Sequence, residues 1–275
     1  MRGLFALLIL VMAACATPKP PPEPLAKSRL AEAEARAAAL ARSGDYAAAA
    51  KFYGDALRMA TALENADAIA ANAINLSVVQ QWLGQNDEAR RALAAVLDDP
   101  RTPFSERRKL QAELRRAILE LSVNNVGAAA VWAGQAERRC AGLSCEYAAT
   151  ILNVRAQVEL ESAHPADAER LATAAAEHAG SNAAERANAL RTLGRARQAQ
   201  GQAAAAIEPL QRALALDREL GDPRKILADL SELSRAADAA GDARAASDYR
   251  ERSLAVSRAM SDGKSTSEME ALLRR

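Results

Sequence analysis

Aromatic residues make up only 3% of this 275-residue chain, and it holds two histidines and three cysteines. Little of the chemistry that depends on such residues is available to it. His164 and His178 are not placed with zinc-ligand spacing, so neither is assigned as a metal ligand. Trp82 and Trp132 are well separated and read as packing residues rather than as a stacking pair. There is no Gly-rich phosphate loop, no Gly-x-Ser-x-Gly elbow and no His-Glu-x-x-His. Charge of one sign is missing too: 36 basic residues face 35 acidic ones, a net charge of +1. That excludes the clustered positive excess of a broad nucleic-acid surface. No segment alternates with the two-residue period of a strand. The expectation is an all-α protein that is not an enzyme and carries no cofactor or metal.

Alanine and a period are present instead. Half of the residues are hydrophobic, and alanine supplies many of them, as in Ala47 to Ala50 and Ala203 to Ala206. Alanine has the highest helix propensity and lets helices pack closely. Gly44, Gly84, Asn124, Ala163, Gly201 and Gly241 recur every 38 to 40 residues, each between two Ala-rich helical patterns. A fixed period of this size marks a solenoid of helix pairs. Around the first turn stand Gly44-Asp45-Tyr46, Ala49, Tyr53, Ala56 and Leu57. The second gives Gly84, Ala89, Leu93, Val96 and Leu97, and the fifth Gly201, Ala206, Leu210, Ala213 and Leu214. Steps of three and four place these residues on one helix face. The sixth unit departs, with Arg250 and Ser253 at apolar positions. Ahead of the turns, the first helix of a pair carries marks such as Leu190, Leu193 and Gly194, or Ala73, Leu76 and Ser77.

These residues resemble the tetratricopeptide repeat, in which a Leu and a small residue mark helix A, Gly-Asp-Tyr the turn, and Ala-x3-Tyr-x2-Ala helix B. The resemblance covers six units over residues 27–260. The usual period is about 34 residues. The extra residues are expected after helix B, at Asp98 to Pro103 and Gly221 to Pro223. HEAT repeats fit the period better, but the turn and the small-residue spacing favour the tetratricopeptide type. The resemblance implies a right-handed superhelix whose A helices line a concave groove. Positions 13, 10, 6, 3 and 2 before each turn would face it. A protein partner would then meet Ile74, Val78, Trp82, Leu114, Ile118, Asn153, Arg191, Arg195 and Arg235, apolar in the middle and basic at the C-terminal end. The three arginines resemble the carboxylate clamp of some peptide-binding members in charge and position only. The alternative is a solvated face paired with nearby acids.

The N-terminus reads as a processing segment. Arg2 precedes a short apolar run, Leu4 to Met12, too short to span a bilayer. It ends in Met12-Ala13-Ala14-Cys15, which resembles a bacterial lipobox and implies a signal peptide over 1–14 and a lipid on Cys15. An ordinary signal peptide with an incidental cysteine is the alternative. Ala16, in place of Asp, implies the outer membrane for such lipoproteins, facing the periplasm. Residues 15–26, with Pro18, Pro20, Pro21, Pro22 and Pro24, form an extended tether.

Cys140 and Cys145 flank a short loop, where an exported protein would close a structural disulfide contributing about 2 kcal/mol. Two free thiols or a redox pair are the alternatives. Ser265 to Glu268, followed by Met269, Leu272 and Leu273, reads as a capping helix after a linker, within 261–275. The expected function is a lipid-anchored adaptor of the bacterial envelope that binds a peptide or helix. The alternative is a carrier or sensor holding a small ligand inside the superhelix.

Overall fold

The computed structural model describes residues 25–142 and 145–273, with side chains through residue 260. Cys15, the signal-peptide segment and the Pro-rich run lie outside the described residues. Twelve helices follow in order: α1 (Leu25–Ser43), α2 (Tyr46–Ala62), α3 (Ala66–Trp82), α4 (Asn86–Leu97), α5 (Glu106–Ser122), α6 (Val126–Ala141), α7 (Ala148–Glu161), α8 (Pro165–His178), α9 (Ala183–Ala199), α10 (Ala203–Leu220), α11 (Pro223–Ala239) and α12 (Ala243–Leu273). They form six antiparallel pairs, each helix packing on the next. α1 starts inside the stretch assigned to the tether. α12 runs unbroken to Leu273, so residues 261–273 extend the last helix and form neither the linker nor the separate capping helix expected there.

All six turn residues read from the sequence lie in the left-handed region: Gly44 (φ 86°), Gly84 (75°), Asn124 (57°), Ala163 (62°), Gly201 (76°) and Gly241 (84°). Each turn closes in the same way. The residue after the left-handed one donates its N–H to a carbonyl five residues back, as in Asp45 to Leu40 at 3.0 Å and Asn125 to Glu120 at 2.8 Å. These bonds satisfy the orphan carbonyls of the outgoing helix. The same residue often caps the incoming helix, as where Asp45 accepts from Ala48 N at 3.0 Å. Asp242 accepts from Ala245 N at 2.9 Å in the sixth turn. Glu64 and Gly221 make the same turn between pairs, again with φ positive. Thus Gly221 to Pro223 holds no extra loop; the additional length there goes into the 18-residue α10. The loop after α4 does hold extra residues. Asp99 organises it by accepting from Arg101 N (2.9 Å) and Thr102 Oγ1 (2.6 Å), and buried Phe104 anchors it.

Small residues set the spacing within each pair. Seven positions before the turns stand Ala37, Ser77, Ala117, Ala156, Gly194 and Ser234; five after them stand Ala49, Ala89, Ala129, Ala168, Ala206 and Ala246. All twelve are buried. The two rows meet directly in the sixth pair, where Ser234 Oγ donates to Ala246 O at 3.0 Å. A Cβ built on Gly194 would lie 2.5 Å from Leu210 Cγ. Cys140 and Cys145 are joined in a disulfide, with Cα atoms 5.3 Å apart.

Two stability changes of opposite sign follow. Ala163→Gly relieves a left-handed alanine and should raise stability by about 0.5–1 kcal/mol in urea denaturation, after the added freedom of the unfolded chain is deducted. Gly194→Ala drives a methyl into Leu210 and should cost about 1–3 kcal/mol. Combined with Leu210→Ala it should cost less than the two single changes added together.

Candidate groove of the solenoid

The A helices form the inner layer. α3 packs on α5, α5 on α7, α7 on α9 and α9 on α11, whereas among the described residues no two B helices of successive pairs pack together comparably. A stack that touches on one side and splays on the other is curved, with the touching side inside. The inner wall is therefore made of A helices.

The rows assigned to that wall behave differently. The row ten before the turn is absorbed into the seams between A helices. Leu114 is buried in the core with Leu110, Ala117, Ile151 and Val154. Asn153 is buried and accepts from Thr192 Oγ1 at 2.8 Å, joining α7 to α9. Ile74 packs on the core around Ala70 and Ala73. These residues hold repeats together and offer a partner little surface, contrary to the expectation for Leu114 and Asn153. The row six before the turn stays accessible: Val78, Ile118, Gln157 and Arg195 are half-buried and Arg235 is exposed. Leu121 and Leu160 are half-buried beside it, and Trp82 is 42% exposed. The apolar part of the groove is thus Val78, Trp82, Ile118, Leu121 and Leu160, across repeats 2 to 4.

The basic end is already neutralised. Arg191, also ten before its turn, is partly buried between α9, α10 and α11, where Nε meets Asp229 at 2.5 Å and Nη2 meets Asp217. Its Nη1 donates to Asn188 at 3.1 Å. Arg195 binds Glu161 at 2.7 Å and lies 3.6 Å from Glu232, which also pairs with Arg235 at 2.5 Å. The three guanidiniums therefore do not converge on an empty clamp; acids from neighbouring helices hold Arg191 and Arg195, and Glu232 of the same helix pairs with Arg235. Arg115 is a different case. It is buried between α3 and α5 and donates to Ser77 Oγ and Ser77 O, both at 3.0 Å, and to Gln81. These acceptors are neutral, and burial lowers its pKa to about 10.

Around Arg191 the charges are dense. α9 contributes Glu185 and Arg191, with the neutral Asn188 beside them; α10 contributes Asp217; α11 contributes Lys225 and Asp229, with Asp222 as its N-cap. Lys225 Nζ donates to Asn188 Oδ1 at 2.9 Å, and burial lowers its pKa. Asp229 is 0% exposed and its Oδ2 has no hydrogen-bond partner. Burial, partly offset by Arg191, pushes its pKa up to about 6. Among the described residues no group of acids, histidines and cysteines could hold a metal ion. Nor is any described helix long and apolar enough to cross a membrane. Two clefts lie away from the groove, one beside Glu106, Glu113 and Arg139, the other beside Thr61, Ile69 and Asp98 to Thr102.

No protein-family model and no curated protein matches the chain. Solved structures do match. One is a putative kinesin light chain from Podosopora anserina with nearly identical TPR-like repeats, at 22% identity and TM-score 0.52 over 70% of this chain and 96% of that one. The fold is tetratricopeptide-like. BtubC (BKLC) from P. vanneervenii is similar at 21% identity and TM-score 0.57, covering 87% of this chain and 93% of its own. PilW, a type IV pilus biogenesis factor, gives 18% identity and TM-score 0.58 over 82% and 92%. At these identities the tetratricopeptide-like likeness is one of fold. Sequence reasoning missed Arg115 and the acids that hold Arg191. The only signal was an excess of charged residues on helices otherwise rich in alanine.

Asp229 makes a pH prediction. A carboxyl whose folded pKa lies above its ordinary 3.8 stabilises the fold when protonated, and that contribution is lost as pH rises through about 6. Glu120, held near a pKa of about 2 by hydrogen bonds from Arg90 and Arg116, stays ionised throughout that window. The urea midpoint should therefore be higher at pH 5 than at pH 7. Asp229→Asn, which can donate toward Asp217 in place of the proton, should flatten that difference.

Proposed function

We propose that the protein is an adaptor of the bacterial envelope, held at the outer membrane by a lipid on Cys15, which captures an amphipathic helix or extended segment of a protein partner on the apolar part of its groove. The observation that carries this reading is the accessible stripe Val78, Trp82, Ile118, Leu121 and Leu160. The five residues span three repeats of the inner wall, and accessible apolar side chains aligned in this way suit the docking of an amphipathic segment. The neutralised C-terminal half then gives the groove a polar, self-satisfied end, so the partner is selected by its apolar face rather than by an acidic tail. Met12-Ala13-Ala14-Cys15 supports the anchor. The small-ligand alternative has no comparable support, since neither cleft is lined by a residue of the stripe.

Site-specific photocrosslinking in intact cells tests the groove. A photoreactive residue at Val78 or Ile118 should yield discrete protein adducts. One at Val131, 58% exposed on α6 in the outer layer, should not. Equal adducts from both faces, or none from the groove, would refute the reading. Ile118→Glu should lower adduct yield from Val78 about tenfold while far-UV dichroism stays unchanged. Metabolic labelling with a fatty acid should be lost in Cys15→Ser.

A further inference from the structure

The two ends of the solenoid touch. Arg224, at the start of α11 in the last repeat, reaches the turn edge of repeats 1 and 2, 178 residues away. Its Nη1 donates to the Tyr46 hydroxyl at 2.7 Å. Its guanidinium carbon lies 4.0 Å from the Trp82 ring centroid and 5.5 Å from that of Tyr46. The two rings are 4.7 Å apart and tilted at 51°. A cation over tilted rings of this kind is attracted by their negative faces.

Backbone geometry places all three. Tyr46 opens α2 directly after the capping Asp45, Trp82 closes α3, and Asp222 accepts from the N–H groups of Arg224 (3.1 Å) and Lys225 (3.3 Å) at the start of α11. The Asp222 carboxylate stays 3.9 Å from Arg224 Nε, too far for a close ion pair, so the guanidinium is committed to the rings. Among the described residues, none of the helix-on-helix packing that joins neighbouring repeats crosses this seam. A few side chains therefore carry it. Trp82 belongs to both the seam and the apolar stripe of the groove.

We propose that Arg224, Tyr46 and Trp82 form a clasp that closes the superhelical turn, and that the groove admits its partner by opening there. The second half rests on the groove reading above; the clasp itself does not. One cation–ring contact with one hydrogen bond shifts a closed-to-open ratio on the order of tenfold. That is enough to keep the resting protein closed and weak enough for a partner at Trp82 to release it.

Spin labels on the full chain at Gln85→Cys and Glu219→Cys, both exposed beside the seam, report the opening. The unaltered seam should give one short, narrow distance distribution. Arg224→Ala and Trp82→Ala should each lengthen and broaden it, with helicity unchanged. Arg224→Lys, which keeps the charge and loses the planar fork, should fall between. Tyr46→Phe, which removes a single hydroxyl and little else, should lengthen the distance partially and guards against a variant that misfolds. Unchanged distances in Arg224→Ala and Tyr46→Phe would overturn the clasp. Adducts from Val78 should rise severalfold in Arg224→Ala if the clasp admits the partner. A lengthened distance with no such rise would overturn the admission step and leave the clasp standing. Absence of Val78 adducts in every variant would overturn the groove reading and the admission step together, without bearing on the spin-label result.

Discussion

Everything in this molecule depends on how closely the two helices of a pair approach. The rows Ala37, Ser77, Ala117, Ala156, Gly194, Ser234 and Ala49, Ala89, Ala129, Ala168, Ala206, Ala246 are buried without exception. Side chains this small contribute little hydrophobic free energy one by one. Their contribution is geometric, because they let backbones come near enough for larger neighbours such as Leu93, Leu210 and Leu233 to fill the flanks. Once the pair spacing is set, the A helices can touch their counterparts along the inner layer while the B helices splay. Curvature, and with it the groove, follows from that asymmetry.

Polar residues fix register between repeats. Glu120 on α5, 1% exposed, receives Arg90 from α4 through Nε at 2.9 Å and Nη2 at 3.0 Å, and Arg116 from its own helix at 2.6 Å. Within the third pair, Arg139 on α6 grips buried Glu113 on α5 with two bonds, at 2.9 and 2.7 Å. Asn153 with Thr192, and Arg115 with Ser77, join successive A helices. Bonds of this sort add little net stability, but breaking one partner leaves a buried polar group unpaired. An alanine surface slides easily; these fixed pairs penalise sliding. The same economy explains why the basic end of the groove is neutralised, since Arg191 and Arg195 are spent on pairs that join helices.

Much of this was legible in the sequence. The six turns could be read because a left-handed residue has a chemical signature, glycine or asparagine, and because period identified Ala163 where chemistry did not. The buried small rows came from the same spacing. The departures at Arg250 and Ser253 fit their surroundings: Arg250 is exposed, while Ser253 is half-buried with its hydroxyl 3.3 Å from that of Ser231 on α11. What stayed hidden depends on the distance between helices. A position count along one helix places residues ten and six before the turn on the same side. Only the close packing of neighbouring A helices decides that Leu114 and Asn153 are enclosed while Val78 and Ile118 are not. The acids that hold Arg191 stand 26 and 38 residues downstream, on two other helices. No local pattern announces them. The turn at Glu64 was equally silent, since glutamate is an unusual residue for positive φ.

The contact between Arg224 and Tyr46 has a consequence for the order in which the chain folds. Nearly every other interaction joins a helix to one nearby in sequence, so repeats can assemble progressively and locally, with small loop-closure cost. A chain emerging N-terminus first can thus fold repeat by repeat behind its leading end. Tyr46 and Trp82 are in place early and wait, as a half-built receptor, for a residue that arrives only with α11. Their union comes late in assembly, with only α12 left to dock, so a chain stopped before α11 would present a folded solenoid that is unfastened.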